Sequence, residues 1–297
     1  MTFLWLLEGI RTPFLDKLMQ LITYLGQEII IIAVICTLYW CVDKRFAYLL
    51  GFTYFTAGLC VQIMKITFRI PRPWILDPEF KAVESALPGA TGYSFPSGHT
   101  QGASCLFVPL ALKHKSLPGK LLCCLAFLLV GFSRMYLGCH TPLDVFTAMA
   151  ISIAVSCVIW KFQDALLGNT SHPGYTALIL AGIAVFAAVY ALILNKQGTI
   201  ETKYAIDCLK ASGAGLGFAA GWYAEQKYLQ FSSRFTSIRS LLLTVIPGLV
   251  LSLLLKEGIA LFFGSSILAK SAEYFILVLW VLVIYPFLFT KVQRRTV

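Results

Sequence analysis

The sequence predicts an all-α, polytopic membrane protein: a helical bundle of about nine spans. Two features of composition and one of pattern lead there. The 297 residues are 58% hydrophobic and only 13% charged, where a soluble domain carries about 25% charged residues. Mean hydropathy is +0.79. Uncharged runs long enough to cross a bilayer recur along the chain, and in hydrocarbon only a helix or a closed barrel satisfies every backbone polar group.

Residues 3–16 (FLWLLEGIRTPFLD) mix apolar and charged positions, which predicts an interfacial amphipathic helix. They lack the basic n-region and small-residue cleavage site of a cleavable signal peptide. The uncharged runs place spans near 18–42, 46–66, 98–112, 118–136, 142–160, 176–194, 206–224, 240–262 and 272–290. Lys256-Glu257 interrupts the eighth. Glu28 is the one charge in the first, and reads as a packed interfacial residue. No linker, low-complexity tract or internal repeat divides the chain, so one integral domain over 1–297 is expected.

The formal charge of +10 does not point to nucleic acid, because basic residues of helical membrane proteins belong to their cytoplasmic loops. No nucleic-acid partner is expected; the partners are the bilayer and what it carries. Of nine cysteines, seven lie in or beside apolar runs, where they behave as small hydrophobes. Only Cys139 and Cys208 fall near loops, and no CxxC pair marks a zinc or redox site.

Three short stretches stand out from this apolar background. Residues 65–73 read KITFRIPRP, 96–99 read PSGH and 133–144 read SRMYLGCHTPLD. Alternation of the spans puts all three on one membrane side. The opposite side then receives twelve of the 24 Lys and Arg, among them Lys44, Arg45, Arg234, Lys291, Arg294 and Arg295, against Asp43, Asp164 and Glu225. Without the three motif cations, the motif side keeps nine. That bias makes the motif side extracytoplasmic, with the N-terminus beside it and the C-terminus in the cytosol.

The motif residues are those that phosphoryl transfer through a phosphohistidine needs. Thr141 suits an N-cap and Pro142 a first helical position, so Asp144 falls in a first turn, four residues after His140. A carboxylate there accepts the Nδ1 proton and leaves Nε2 free to attack phosphorus. Ser97 caps the next helix and Gly98 lets a phosphate approach the backbone at a helix N-terminus. His99 is the expected general acid, then base. Lys65, Arg72 and Arg134 supply cations for the charge on the transferring group, and Pro71 and Pro73 end the helix and aim Arg72. Arg69 and Lys81 fit no slot. His99, His140 and Asp144 as metal ligands are the competing chemistry, opposed by three cations around the same point, so no metal and no cofactor are expected.

Taken together, the motifs resemble the signature of the type 2 phosphatidic acid phosphatase and vanadium haloperoxidase superfamily: Lys-x6-Arg-Pro, Pro-Ser-Gly-His and Ser-Arg-x5-His-x3-Asp. Lys65 to Arg72-Pro73, Pro96 to His99, and Ser133-Arg134 through His140 to Asp144 match without departure. The resemblance spans roughly residues 40–165. It implies a six-helix core and a metal-independent phosphatase, with His140 as nucleophile, His99 as acid/base, and Lys65, Arg72, Arg134, Ser97 and Gly98 as the phosphate cradle.

Within that superfamily the chain is most similar to integral lipid-phosphate phosphatases. Tyr39-Trp40 before Asp43-Lys44-Arg45, and SRMYLGCH, resemble sphingoid-base-phosphate phosphatases. The nine spans also resemble glucose-6-phosphatase. The spans from about 200 to 297 have no assigned role. A lipid phosphate is the first expected substrate: phosphatidate, lysophosphatidate, a sphingoid-base phosphate or a polyprenyl diphosphate. Trp74, Ile75, Leu76, Phe80, Tyr93 and Phe95 would form an apolar wall for its chain. A sugar phosphate held by Asp77, Glu79 or Glu84 is the second, and phosphoryl transfer to another lipid a variant. A transporter would spread its charges through the membrane depth; here they cluster at helix ends. The expected location is the plasma membrane of a bacterium or the endoplasmic reticulum of a eukaryote.

Overall fold

The computed structural model describes residues 1–168, 172–232, 237–264 and 266–289. Arg234, Lys291, Arg294 and Arg295, counted above toward the cytoplasmic side, and the last residue of the ninth expected span lie outside the described residues.

Among the described residues every regular element is helical. The chain opens with α1 (Thr2–Glu8) and α2 (Pro13–Tyr24), so the expected amphipathic segment is two helices. They break at Gly9, and Thr12 caps the second, accepting from Leu15 N at 3.3 Å with Pro13 in the first turn. Then come α3 (Glu28–Thr37), which runs into a π turn at Leu38–Val42, and α4 (Lys44–Phe68). Lys65 sits in the last turn of α4, three residues before its end. A short α5 (Pro73–Leu76) precedes α6 (Gly98–Lys113), α7 (Leu117–Tyr136), α8 (Pro142–Lys161) and the one-turn α9 (Gln163–Leu167). The chain continues through α10 (Pro173–Lys196), α11 (Thr202–Ala224) with a π turn at Glu225–Leu229, α12 (Ile238–Phe263) and α13 (Ile267–Leu279) with a π turn at Trp280–Ile284.

Eight of the nine expected spans fall on helix among the described residues, and the first, 18–42, divides between α2 and α3. By length and apolar composition, however, six are able to cross a membrane, and a seventh counts if α2 and α3, bent by 42°, form one broken span. The difference has a physical origin. Helix α6 has only 16 residues, about 24 Å at 1.5 Å per residue, short of a hydrocarbon core of roughly 30 Å. Helix α11 dilutes its apolar content with glycines and carries Asp207 and Lys210.

The chain gathers into two compact units. One comprises Met1–Ile31 and Cys60–Trp160, the other Ile32–Leu59 and Lys161–Val297. The first holds all three motifs. Its core joins Leu4 and Leu7 of α1, Phe80, Ala103 of α6, Val130 and Tyr136 of α7, Leu137, Cys139 and Val145 of α8. The expectation that Phe80 and Phe95 line an apolar wall fails here. Both are buried, Phe80 against Trp5 and Arg11 and Phe95 against Phe68, while Ile75 and Leu76 are exposed. Cys139, expected near a loop, is fully buried, and all nine cysteines are free.

In the second unit, Gly213, Gly217 and Gly221 bring α13 against α11. A Cβ on Gly213 would fall 2.0 Å from Ser271 O and one on Gly217 2.6 Å from Phe275 O, so only hydrogen permits that approach. Phe52, Phe218 and Trp222 stack edge-on beside it. At one end, the buried Glu225 accepts from Lys44 Nζ (2.8 Å), Phe231 N (3.0 Å), Gln226 Nε2 (2.9 Å) and Tyr48 OH.

Candidate active site

Every sequence-predicted site residue lies in the motif-bearing unit. Thr141 and Pro142 start α8 as expected, with Asp144 N donating to Thr141 Oγ1 at 3.4 Å. Just upstream, Gly138 takes φ +76°, a left-handed turn that glycine adopts without strain. It reverses the chain between α7 and α8 and delivers His140 to the interior, 1% exposed.

The surroundings of His140 are polar on both ring edges. Nε2 lies 2.9 Å from Arg72 Nη1. A guanidinium only donates, so Nε2 is the unprotonated nitrogen and the proton is on Nδ1. Nδ1 faces Asp144 Oδ2 at 3.5 Å, within ion-pair range, yet it makes no hydrogen bond. Oδ2 already accepts from Ser94 Oγ (2.6 Å) and Thr141 N (2.7 Å). Asp144 therefore stands behind the ring as a fixed charge rather than the hydrogen-bond partner the spacing predicts. Burial, then the charges of Arg72, Arg134 and Lys65, push His140 well below the ordinary imidazole value. At neutral pH its imidazole is uncharged.

Lys65 and Arg72 are held by a segment to which the sequence assigned no polar role, Tyr93 being expected only in an apolar wall. Three consecutive residues, Gly92, Tyr93 and Ser94, each engage one motif residue. Gly92 O accepts from Arg72 Nε (2.8 Å), Tyr93 O accepts from Lys65 Nζ (2.6 Å), and Ser94 Oγ donates to Asp144. Arg72 Nη1 also donates to Cys139 O at 3.0 Å. The only signal in the sequence is proximity: one residue, Phe95, separates them from Pro96-Ser97-Gly98-His99. The ring of Trp74, 6.0 Å from the Arg72 guanidinium, adds a cation–π contact.

Arg134 is bound differently. It is 1% exposed, and Nη1 donates to Thr23 Oγ1 at 3.2 Å. Among the described residues its Nε and Nη2 have no partner. Buried donors are almost always paired, and these two form the parallel edge that grips two oxygens of one phosphoryl group. That edge is the strongest structural argument for an anion here.

Ser97 caps α6 as expected, its Oγ accepting from Thr100 N (3.4 Å) and Thr100 Oγ1 (2.9 Å). Its amide donates to Asp144 O at 3.1 Å, which ties the second motif to the third. A Cβ on Gly98 would meet nothing within 4 Å, so the backbone there is open to a ligand. The amides that begin α6 have no partner within the helix. The His99 ring lies beside Gly89, where an added Cβ would sit 3.8 Å from Cε1. Among the described residues no group of three or more His, Cys, Asp or Glu is arranged to hold a metal ion. Asp77 accepts from Trp5 Nε1 at 3.0 Å, and Glu79 and Glu84 are exposed.

Residues 46–167 match the PAP2 superfamily, and residues 209–296 match the transmembrane extension of PAP2 superfamily phosphatases. The chain belongs to the PAP2 superfamily. It is a multi-pass integral membrane protein of that family, and the C-terminal helices, which carried no role in sequence reasoning, are the family's extension. This PAP2 member is 30% identical to undecaprenyl-diphosphatase BcrC of Bacillus subtilis (strain 168), over 37% of this chain and 54% of that protein. It is 26% identical to phosphatidylglycerophosphatase B of the same organism, over 53% and 79%. It is 24% identical to sphingosine-1-phosphate phosphatase 1 of Rattus norvegicus, over 44% and 31%. The chain thus spans about half the length of the first of these relatives and about a third of the last.

Proposed function

We propose that this PAP2 superfamily member is a phosphoric ester hydrolase of lipid phosphates. It acts without a metal, on a monoester or diphosphate, through a phosphohistidine. The observation that carries the proposal is the buried group of His140, Arg72 and Arg134, a neutral imidazole beside a fully engaged guanidinium and one whose Nε–Nη2 edge has no partner among the described residues. The similarity to proteins named for an undecaprenyl diphosphate, a phosphatidylglycerophosphate and a sphingosine phosphate supports a lipid as substrate. Residues 1–297 are read as one phosphatase, its chemistry carried by the motif-bearing unit.

The steps follow from the chain's own residues. An incoming phosphate draws Arg72 Nη1 away from His140 Nε2 and onto its oxygens, which frees the nitrogen lone pair. The Nε2–P bond forms as the P–O bond to the lipid breaks, and His99 gives its proton to the leaving oxygen. Positive charge grows on His140, where Asp144 stabilises it. His99, now a base, takes a proton from water as the water oxygen bonds to phosphorus and the P–N bond breaks. The products are inorganic phosphate and the dephosphorylated lipid, or the lipid monophosphate from a diphosphate. Lys65, Arg72 and Arg134 neutralise the equatorial oxygens throughout.

The site faces outside the cytosol, in the plasma membrane or the lumen of the endoplasmic reticulum, on the charge bias between the two sides. The deciding experiment is phosphate release by detergent-purified protein in EDTA, wild type beside His140→Ala. The panel holds phosphatidic acid, lysophosphatidic acid, a sphingoid-base phosphate, a polyprenyl diphosphate and glucose 6-phosphate. Turnover of a lipid that disappears in the variant is expected. Preference for the sugar would overturn the lipid assignment, and full activity of His140→Ala would overturn the mechanism. A reporter fused after Val297 that is found outside the cytosol would overturn the sidedness.

A further inference from the structure

The geometry points to Thr23 of α2 as a positioning residue for Arg134, which makes α2 part of the phosphate site although it precedes the matched family region. The inference rests on the phosphatase reading of that site.

A guanidinium has three corners. Nε and Nη2 form one parallel edge; Nη1 lies outside it. In Arg134 only Nη1 has a partner, the Oγ1 of Thr23 at 3.2 Å, and the edge is left for two oxygens. Both residues are buried, Thr23 completely, so water does not replace this bond. Thr23 thus holds the one nitrogen that phosphate does not use. Without it the guanidinium turns about its terminal torsions, and the edge loses its aim.

Helix α2 is itself pinned along α7 in a way that suits this task. Near its start, Tyr136 OH donates to Asp16 Oδ1 (3.0 Å) and accepts from Thr12 N (3.3 Å). Near its end Thr23 meets Arg134. Three residues on, a Cβ at Gly26 would fall 2.5 Å from His99 O and 2.8 Å from Val130 Cγ1. The break after α2 is therefore seated against the first turn of α6, where His99 stands. Residues 23–26 touch the backbone of the proposed acid and the side chain of a proposed phosphate ligand at once.

Orthovanadate binding, read by calorimetry on purified protein, tests the inference without needing a known substrate. Thr23→Val keeps the shape and removes the acceptor; it is expected to weaken vanadate binding about tenfold, the scale of one hydrogen bond to a charged group. Thr23→Ser is expected to restore it. In an Arg134→Ala background Thr23→Val is expected to change nothing further, a coupling that a merely structural role would not produce. Unchanged vanadate affinity in Thr23→Val, or an equal loss in the Arg134→Ala background, would overturn the inference. The phosphatase reading fails separately, through a fully active His140→Ala protein. If Thr23→Val does not fold, the Thr23→Ser protein decides: its affinity must stay near wild type, and a loss there overturns the assignment.

Discussion

Arg72 Nη1 donates to His140 Nε2 across 2.9 Å, so the proposed nucleophile rests against a cation. The same guanidinium is bonded to Gly92 O and Cys139 O. Three acceptors in different directions require the planar fork of arginine. Arg72→Lys keeps the charge and loses the fork. A fall in kcat/KM of about 10²–10³, the usual cost of one transition-state donor, is expected from steady-state kinetics, with the protein still folded.

The pH profile follows from the same contact. His140 titrates well below the ordinary imidazole value because it is buried and faces Arg72, Arg134 and Lys65. The His140 limb of kcat/KM therefore lies on the acid side of about 6.5. Removing a cation raises an imidazole pKa, so Arg72→Gln moves that limb to higher pH; a limb that stays in place or moves lower contradicts the assignment. Stability is linked in the same sense. The folded pKa is depressed, so the unfolded chain binds the proton first. The contribution of neutral His140 is fully present above the unfolded pKa and is lost as pH falls through and below it.

Ser94 donates to Asp144 Oδ2 at 2.6 Å, and both side chains are almost wholly buried. Ser94→Ala leaves that oxygen one donor short. Thermal unfolding in detergent should show a loss of about 1–3 kcal/mol, the scale of one hydrogen bond lost from a buried carboxylate that keeps its bond from Thr141 N. Activity should fall with it, because Asp144 backs His140. Asp144→Asn, which removes the charge but keeps the shape, should cost more in kcat than in stability.

The network around Glu225 tests the second unit. Glu225 is fully buried and Lys44 Nζ lies 2.8 Å away. Lys44→Met leaves an uncompensated buried carboxylate and should destabilise by about 3–5 kcal/mol. Lys44→Met with Glu225→Gln should recover part of that loss. Unfolding curves of the two proteins decide it: equal midpoints would mean that the ion pair is not what holds this end together.

Much of the site was legible because its residues are chemically expensive in an apolar chain. Lys65, Arg72, His99, Arg134, His140 and Asp144 stand out at fixed spacings, and the caps at Ser97 and Thr141 are local features that a few neighbours dictate. What stayed hidden were partners distant in sequence. Thr23 lies 111 residues from Arg134, and Ser94 lies 50 from Asp144; neither threonine nor serine is unusual where it occurs. The apolar residues of 74–95 misled for the same reason. Phe80 and Ile75 read alike in sequence, but one is core and the other faces outward.

The sequence by itself determined the helical membrane class and the place of the long helices, and it singled out the groups proposed to react. Those depend on composition, on runs of apolar residues and on spacings along the chain. Tertiary structure alone decided how the groups are held. It turned the carbonyls of Gly92 and Tyr93 toward cations, kept Asp144 at 3.5 Å from His140 instead of in a hydrogen bond, and left one edge of Arg134 unpaired. Such relations arise from packing between segments far apart in the chain, where backbone carbonyls, common to every residue, do as much as side chains.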